Sequence, residues 1–406
     1  DDWEACEFSS IQSWEDLARW YYELSEKNVR MTPEMEAEAV RVAGGLASAR
    51  DKTRAVLEYV QDNFRYVSMS FGENAFEPHP TDEVFRNKYG DCKDLSLLTR
   101  AMLRAVGVTA HLALFNVEMA ITDPSGDLPI PNLFNHVMLR VEDPPNGDFY
   151  ADPLLKGYDI GEYPPNCQRA YTFVIDGKNG YFGRLPEFSA ESAAVRNRVE
   201  VDIHDDWSGT FDETRTLGLD DSIALRLRWK SMSEKERKEY IEEVEFSLAK
   251  GGEVMDNKLE GLEEPYGHVR MRIKYRCPEE FPSADGLIVI SLNYMERDEA
   301  SEKKQRREPF FFPVNKLLET EIVYRMPAGF EVFYLPPDID VDGPNLRFTR
   351  KFTRTDKGVT VTETIVTKRA LLPKEALADL RKFGEDLSRQ TRQRLVFRKA
   401  PPAGQE

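Results

Sequence analysis

Cysteine is scarce in this chain of 406 residues: Cys6, Cys92, Cys167 and Cys277 are the only four, and they lie far apart. That spacing excludes a disulfide scaffold and a zinc ribbon, while leaving one or two bridges possible among the four; the disulfide state of Cys6, Cys167 and Cys277 stays open. Histidine is equally sparse, with five residues and no HExxH pattern, so no metal site is expected. Long apolar runs are missing too. The longest are Gly286–Leu292, Phe310–Val314 and Val106–Val117, the last broken by His111. Each falls short of the roughly 18 residues that span a bilayer, so no transmembrane segment is expected. Neither GxxxxGK[ST] nor GxGxxG occurs, which leaves nucleotide binding without support and no cofactor implied. Positive charge is in deficit: 55 Lys and Arg stand against 72 Asp and Glu, a net charge of -17. Such an excess of carboxylates repels phosphate backbones, so no nucleic-acid partner is expected. The short basic cluster of Lys303, Lys304, Arg306 and Arg307 reads as a solvated loop. The opening Asp1-Asp2-Trp3 carries no export signal.

What remains is a globular composition, 41% hydrophobic and 31% charged with mean hydropathy -0.55. At roughly 150 residues per domain the length predicts two or three domains. The first part reads helical. Ser13 caps a helix from Trp14, with Asp16 in capping-box position and Leu17, Trp20, Tyr21 and Leu24 as its apolar stripe. Thr32-Pro33 starts a second helix, which Gly44-Gly45 ends. Val56, Tyr59, Val60 and Phe64 mark a third. Thr81 is expected to cap a short helix through Phe85. Asp91 caps the next, with Asp94 at its third position, and Gly107 closes it.

The period then changes to two. Thr109–Val117, Phe134–Val141 and Asp148–Asp152 read as strands, with the turn Pro144-Pro145-Asn146-Gly147 joining the last two. Residues 1–185 therefore read as an α+β domain of helices followed by an antiparallel sheet. The boundary is expected near Pro164-Pro165 and Pro186. Residues 186–406 read as a mainly β, sandwich-like region of one or two units. Its expected strands are Val199–Ile203, Thr210–Leu217, His268–Tyr275, Leu287–Tyr294, Glu319–Tyr324, Phe330–Leu335, Leu346–Thr353 and Val359–Val366. Two charged helices, Ser233–Leu248 and Lys374–Leu395, accompany them. Phe310-Phe311-Phe312 reads as a buried anchor.

Three residues could carry chemistry together. Cys92 falls in the first turn of its helix, where free N–H groups and partial positive charge favour a thiolate and could hold an oxyanion. Asp91 and Asp94 oppose that effect, so the helix end alone does not separate an activated thiol from a buried one. His136 begins a strand, and Asp152 ends the strand after it. A hairpin symmetric about Pro144 would set the two opposite each other on one face. Asp152 would then orient the imidazole, and the free ring nitrogen would face the thiol. Of the remaining histidines, His79 reads as a loop residue between prolines and His111 as structural. His204 and His268 lie away from the motif.

Tyr89-Gly90-Asp91-Cys92-Lys93-Asp94, then Asn135-His136-Val137, then Tyr150-Ala151-Asp152-Pro153 resemble the transglutaminase-like core of the papain-like cysteine enzyme superfamily. Phe64-Arg65-Tyr66-Val67 and Phe76-Glu77-Pro78-His79-Pro80 resemble a bacterial subgroup with flanking β-rich domains. The resemblance covers residues 10–155 and fades beyond 185. It implies Cys92 as nucleophile, His136 as general base and Asp152 as its orienter. It also implies a preceding β-rich domain outside this sequence and a periplasmic or secreted setting. Tyr66 and Tyr89 are candidates for the oxyanion-stabilising aromatic, with core packing as the alternative for each; Asn135 is a cleft candidate. Asp91 and Lys93 stand where the animal enzymes have Gln and Trp, which argues against Gln–Lys cross-linking. The expected function is acyl transfer on amide bonds of proteins or peptides, with hydrolysis through a thioester preferred. An inactive core that binds a protein partner is the second expectation. A carbohydrate-active β-sandwich is a distant third.

Overall fold

The computed structural model describes residues 8–68, 75–117, 123–191, 193–249, 252–278, 280–281, 283–284, 286–292, 310–312, 315–368 and 370–400. Cys6, the opening Asp1-Asp2-Trp3, the 303–307 basic cluster and Tyr294 lie outside them, as do the side chains of Phe310 and Phe311. The chain divides into two units, Asp1–Glu187 and Phe188–Glu406.

In the first unit the helix starts are local events. Ser13 Oγ accepts from the Asp16 N–H and opens α1 (Trp14–Glu26). Thr32 Oγ1 does the same for Met35, with Pro33 as the first residue of α2 (Pro33–Ala43). Ser48 caps α3 (Ala49–Asn63), a signal the periodicity alone does not expose. A two-residue strand β1 (Arg65–Tyr66) follows, then α4 (Thr81–Asn87). Here the expectation fails: Pro80 holds the cap position and Thr81 is already helical. The Thr81 hydroxyl is spent on the Arg30 backbone, accepting from its N–H at 2.8 Å and donating to its carbonyl at 2.9 Å.

β2 (Tyr89–Gly90) pairs in parallel with β1 and leads directly into α5 (Cys92–Ala105). After α5 come β3 (Ala110–Phe115), β4 (His136–Val141), β5 (Phe149–Ala151), β6 (Tyr171–Asp176) and β7 (Asn179–Arg184). They form one antiparallel sheet in the order β5-β4-β3-β6-β7. Leu17, Met35, Val60, Leu97, Leu98, Met102, Leu112, Leu139 and Phe173 lie in a single core between helices and sheet, each at most 1% exposed. Burying side chains of this size contributes about 1.5–3 kcal/mol apiece before entropy is counted.

The β4–β5 register departs from the hairpin expected about Pro144. Arg140 faces Tyr150 and Leu139 faces Ala151, so the pairing centres on Pro145. Continued one step, it sets Asp152 opposite Met138, two residues from His136 along the same face. The Asp143–Gly147 turn sets this offset. The Asn146 and Gly147 N–H groups both return to the Asp143 carbonyl, and Gly147 takes φ +87°.

The second unit is mostly sheet. Its elements begin with β8 (Val195–Ile203), β9 (Gly209–Thr216), α6 (Leu219–Ser231), α7 (Glu234–Ala249), β10 (Glu253–Glu260) and β11 (Arg270–Cys277). There follow β12 (Ser283–Ala284), β13 (Leu287–Leu292), β14 (Phe310–Phe312), β15 (Lys316–Arg325), β16 (Phe330–Tyr334) and β17 (Ile339–Asp342). The series ends with β18 (Leu346–Thr355), β19 (Gly358–Thr367), β20 (Ala370–Leu372), α8 (Leu377–Thr391) and β21 (Gln393–Lys399). One sheet runs β10-β11-β9-β8-β15-β19-β18-β17, parallel only at β8–β15; another runs β12-β13-β21-β16. Val201, Ile288, Val361, Leu395 and Phe397 from both sheets share a buried core, which makes this region sandwich-like. The last expected helix is too long: Gln393, Arg394 and Leu395 belong to β21, whose Leu395 and Phe397 alternate into that core.

Candidate active site

The site starts from the turn that presents Cys92. Lys88 takes a left-handed conformation with φ 61°, and β2 then carries the chain to Gly90. A Cβ at Gly90 would come within 2.7 Å of the Asp94 Cβ, so the approach of strand to helix requires glycine. Asp91 caps α5. Its Oδ1 accepts from the N–H groups of Lys93 at 3.2 Å and Asp94 at 3.3 Å, and Asp94 Oδ2 accepts from the Asp91 N–H at 3.1 Å. This reciprocal box leaves the Cys92 N–H as the first-turn amide that the cap does not take. Cys92 itself is half-buried and unbridged.

One tether brings the sheet to this turn. Ser96, one helical turn beyond Cys92 and fully buried, donates from Oγ to the Val137 carbonyl at 3.0 Å. Val137 neighbours His136, so the bond fixes helix and strand at the point where they meet. The His136 ring stands edge-on to Phe115, with ring centroids 5.1 Å apart. Its Nε2 meets Asp152 Oδ2 at 2.7 Å, the diagonal reach that the observed register allows. Asp152 is held in turn by the Leu154 N–H, 2.8 Å from its other oxygen.

Cys92 lies close enough to the ring to help raise its pKa. Nε2 is occupied by Asp152, so Nδ1 is the nitrogen left for the sulfur. Burial disfavours an imidazolium here, yet the charge and hydrogen bond of Asp152, aided by Cys92, outweigh it and hold the His136 pKa at about 10. The structure thus brings together Cys92, His136 and Asp152.

The other candidates fall elsewhere. Tyr66 and Tyr89 lie on β1 and β2, 55% and 37% exposed, so neither packs in the core. Asn135 is exposed and ties strand ends: its Oδ1 accepts from the Val117 N–H, and its Nδ2 donates to Asn116 Oδ1. His111, His204 and His268 bond to Glu142, Thr210 and the Leu217 carbonyl respectively. No cluster of metal-ligating residues is present among the described residues, and no described helix is long and apolar enough to cross a membrane.

Sequence reasoning missed the burial and the partners of several neighbours of the sulfur. Lys93 is 3% exposed, with its ammonium paired to Asp91. Asp94, fully buried, also holds His79. The Tyr21 phenol is buried without a hydrogen-bond partner among the described residues. Its pKa is driven up by burial first, then by the nearby Cys92, Asp91 and Asp94. Only the alternation of charge in Asp91-Cys92-Lys93-Asp94 hinted at this density.

Residues 36–150 match the model of the transglutaminase-like superfamily. The core is transglutaminase-like. Residues 287–397 match a second model, a domain of unknown function represented among solved structures. Among curated proteins, none matches this sequence. A crystal structure described as a putative protease from Parabacteroides distasonis ATCC 8503 is similar over 97% of this chain, with a TM-score of 0.57 and 11% identity. This chain covers 63% of the length of that protein. At such identity the likeness concerns the fold. It accords with an α+β architecture in which a transglutaminase-like core precedes a β-rich region.

Proposed function

We propose that this chain is a cysteine amidase or peptidase that cleaves amide bonds of proteins or peptides through a thioester. The observation that carries this reading is the His136–Asp152 pair at 2.7 Å, with Cys92, at a helix start, close enough to help raise the pKa of the same imidazole. Asp152 holds Nε2 protonated and supports a positive ring, so the Cys92 proton passes to Nδ1. The thiolate attacks the carbonyl carbon, and the oxygen gains the electron pair. The unclaimed Cys92 N–H lies beside that carbon and stabilises the charge. Nδ1–H then protonates the leaving amine as the C–N bond breaks. Water, losing a proton to the same nitrogen, cleaves the thioester and regenerates the thiol. Water is the preferred acceptor in this reading.

Cys92→Ala tests the reading. It should abolish cleavage of a denatured protein or a peptide mixture while leaving the circular dichroism spectrum and melting temperature unchanged. Full activity in that variant would refute the mechanism. Wild-type protein that binds a partner but cleaves nothing would favour a scaffold built on the same core.

A further inference from the structure

The first turn of α5 carries a second histidine–carboxylate pair that the proposed reaction leaves unused. Asp94, two residues beyond Cys92, is fully buried. Its Oδ1 accepts from the His79 backbone N–H at 2.8 Å, and its Oδ2 meets His79 Nδ1 at 3.1 Å. The same Oδ2 accepts from the Asp91 N–H. Asp91 is 2% exposed and paired with the ammonium of Lys93. Two buried carboxylates therefore flank the sulfur against a single lysine. Burial first, then the charge of Asp94, pushes the Asp91 carboxyl upward against the pull of Lys93. Unbalanced carboxylates oppose a thiolate in the same way.

His79 is placed to restore the balance. Its ring is 29% exposed, so its edge away from Asp94 reaches solvent. Asp94 faces it from α5. Glu77 faces it from its own loop, but Glu77 is already bound by Lys27 at 2.9 Å and by Asn28 at 3.0 Å. Asp91, Lys93 and the neutral Tyr21 phenol from α1 belong to the same cluster, and Arg100, which is paired with Glu26, acts on Tyr21 from further along α5.

We propose that His79 is a positioning residue that acts on Cys92 through Asp94: its imidazolium supplies the second positive charge that the first-turn carboxylates require before the thiolate can form. The inference rests on the role proposed for Cys92 and adds a second His–carboxylate pair to that of His136 and Asp152. Its chemistry is electrostatic. No bond to His79 forms or breaks, and the thiol proton still passes from Sγ to Nδ1 of His136.

The test is the rate of Cys92 alkylation by iodoacetamide as a function of pH, in the full chain. His79→Gln keeps a donor for Asp94 but removes the charge. It should move the acid limb of the profile upward by about one pH unit, because an unpaired carboxylate then faces the sulfur. The double variant His79→Gln with Asp94→Asn removes both charges and should return the limb close to wild type. Should the double variant fail to fold, His79→Lys, which keeps the charge, should hold the limb near its wild-type position. A merely structural tie would slow alkylation at every pH without moving the limb. An unmoved limb in His79→Gln, or a limb that stays raised when the charge is balanced or restored, overturns the proposal. If wild-type Cys92 is activated and depends on His136, such a failure touches His79 alone. If wild-type Cys92 reacts as a free thiol, the parent reading fails and this one with it.

Discussion

Replacing Asp152 with Asn isolates the largest electrostatic effect in the site. His136 is 15% exposed, and folding lifts its pKa from 6.5 to about 10. A shift of that size corresponds to on the order of 5 kcal/mol of preference for the protonated ring. Asp152 supplies most of it, with Cys92 adding a share. In Asp152→Asn the burial penalty loses its main opponent, and the ring pKa falls to 6.5 or below. At pH 7 the imidazolium would then drop from nearly full occupancy to about a quarter or less. Folding and titration are linked. In the wild type the folded state holds the His136 proton more tightly than the unfolded chain, so the stabilisation is complete below pH 6.5 and fades as pH rises through about 10. The variant should lose that slope. The imidazole C2–H resonance read by NMR against pH, with melting temperature at pH 6 and pH 10 beside it, checks both consequences. A His136 resonance that titrates near 10 in the variant would refute the assignment of the shift to Asp152.

Ser96→Ala removes the 3.0 Å bond to the Val137 carbonyl and should cost about 1 kcal/mol in urea unfolding, with a slower Cys92 alkylation as α5 loosens from β4. Gly90→Ala brings a methyl group within 2.7 Å of Asp94 and should destabilise the first unit by about 1–3 kcal/mol, measured the same way. In the second unit Arg350, 1% exposed, donates to Glu363 at 2.7 Å and to the Thr391 carbonyl at 2.9 Å. Arg350→Ala leaves that carboxylate without its partner and should cost about 3–5 kcal/mol in denaturant unfolding; a loss under 1 kcal/mol would contradict the burial argument.

Short-range signals were legible in the sequence. Ser13, Thr32 and Asp91 each cap the helix they were expected to cap, because the bond joins residues two or three apart. Thr81 misled for the complementary reason: its partner, Arg30, is 51 residues away and invisible to local pattern. The meeting of His136 and Asp152 was legible as a shared face but not as a register. A turn of Pro, Pro, Asn and Gly announces a hairpin without saying where its loop closes, and Asp143 decides that. β10 escaped notice because it is largely solvent-facing and alternates weakly, and β17 because its Ile-Asp-Val-Asp alternation spans only four residues. α6 was hidden likewise, its apolar residues spread around the helix. His79 and Asp94 lie 15 residues apart with no shared motif, so only coordinates join them.

The whole account turns on whether Cys92 is activated by His136. Iodoacetamide alkylation at pH 6 measures this directly, in wild type and in His136→Ala. A free thiol is almost wholly protonated at that pH, whereas a thiolate paired with imidazolium should react at least about tenfold faster. The account predicts that advantage in wild type and its loss in His136→Ala. A wild-type rate equal to that of a free thiol, unaltered by the substitution, would contradict it.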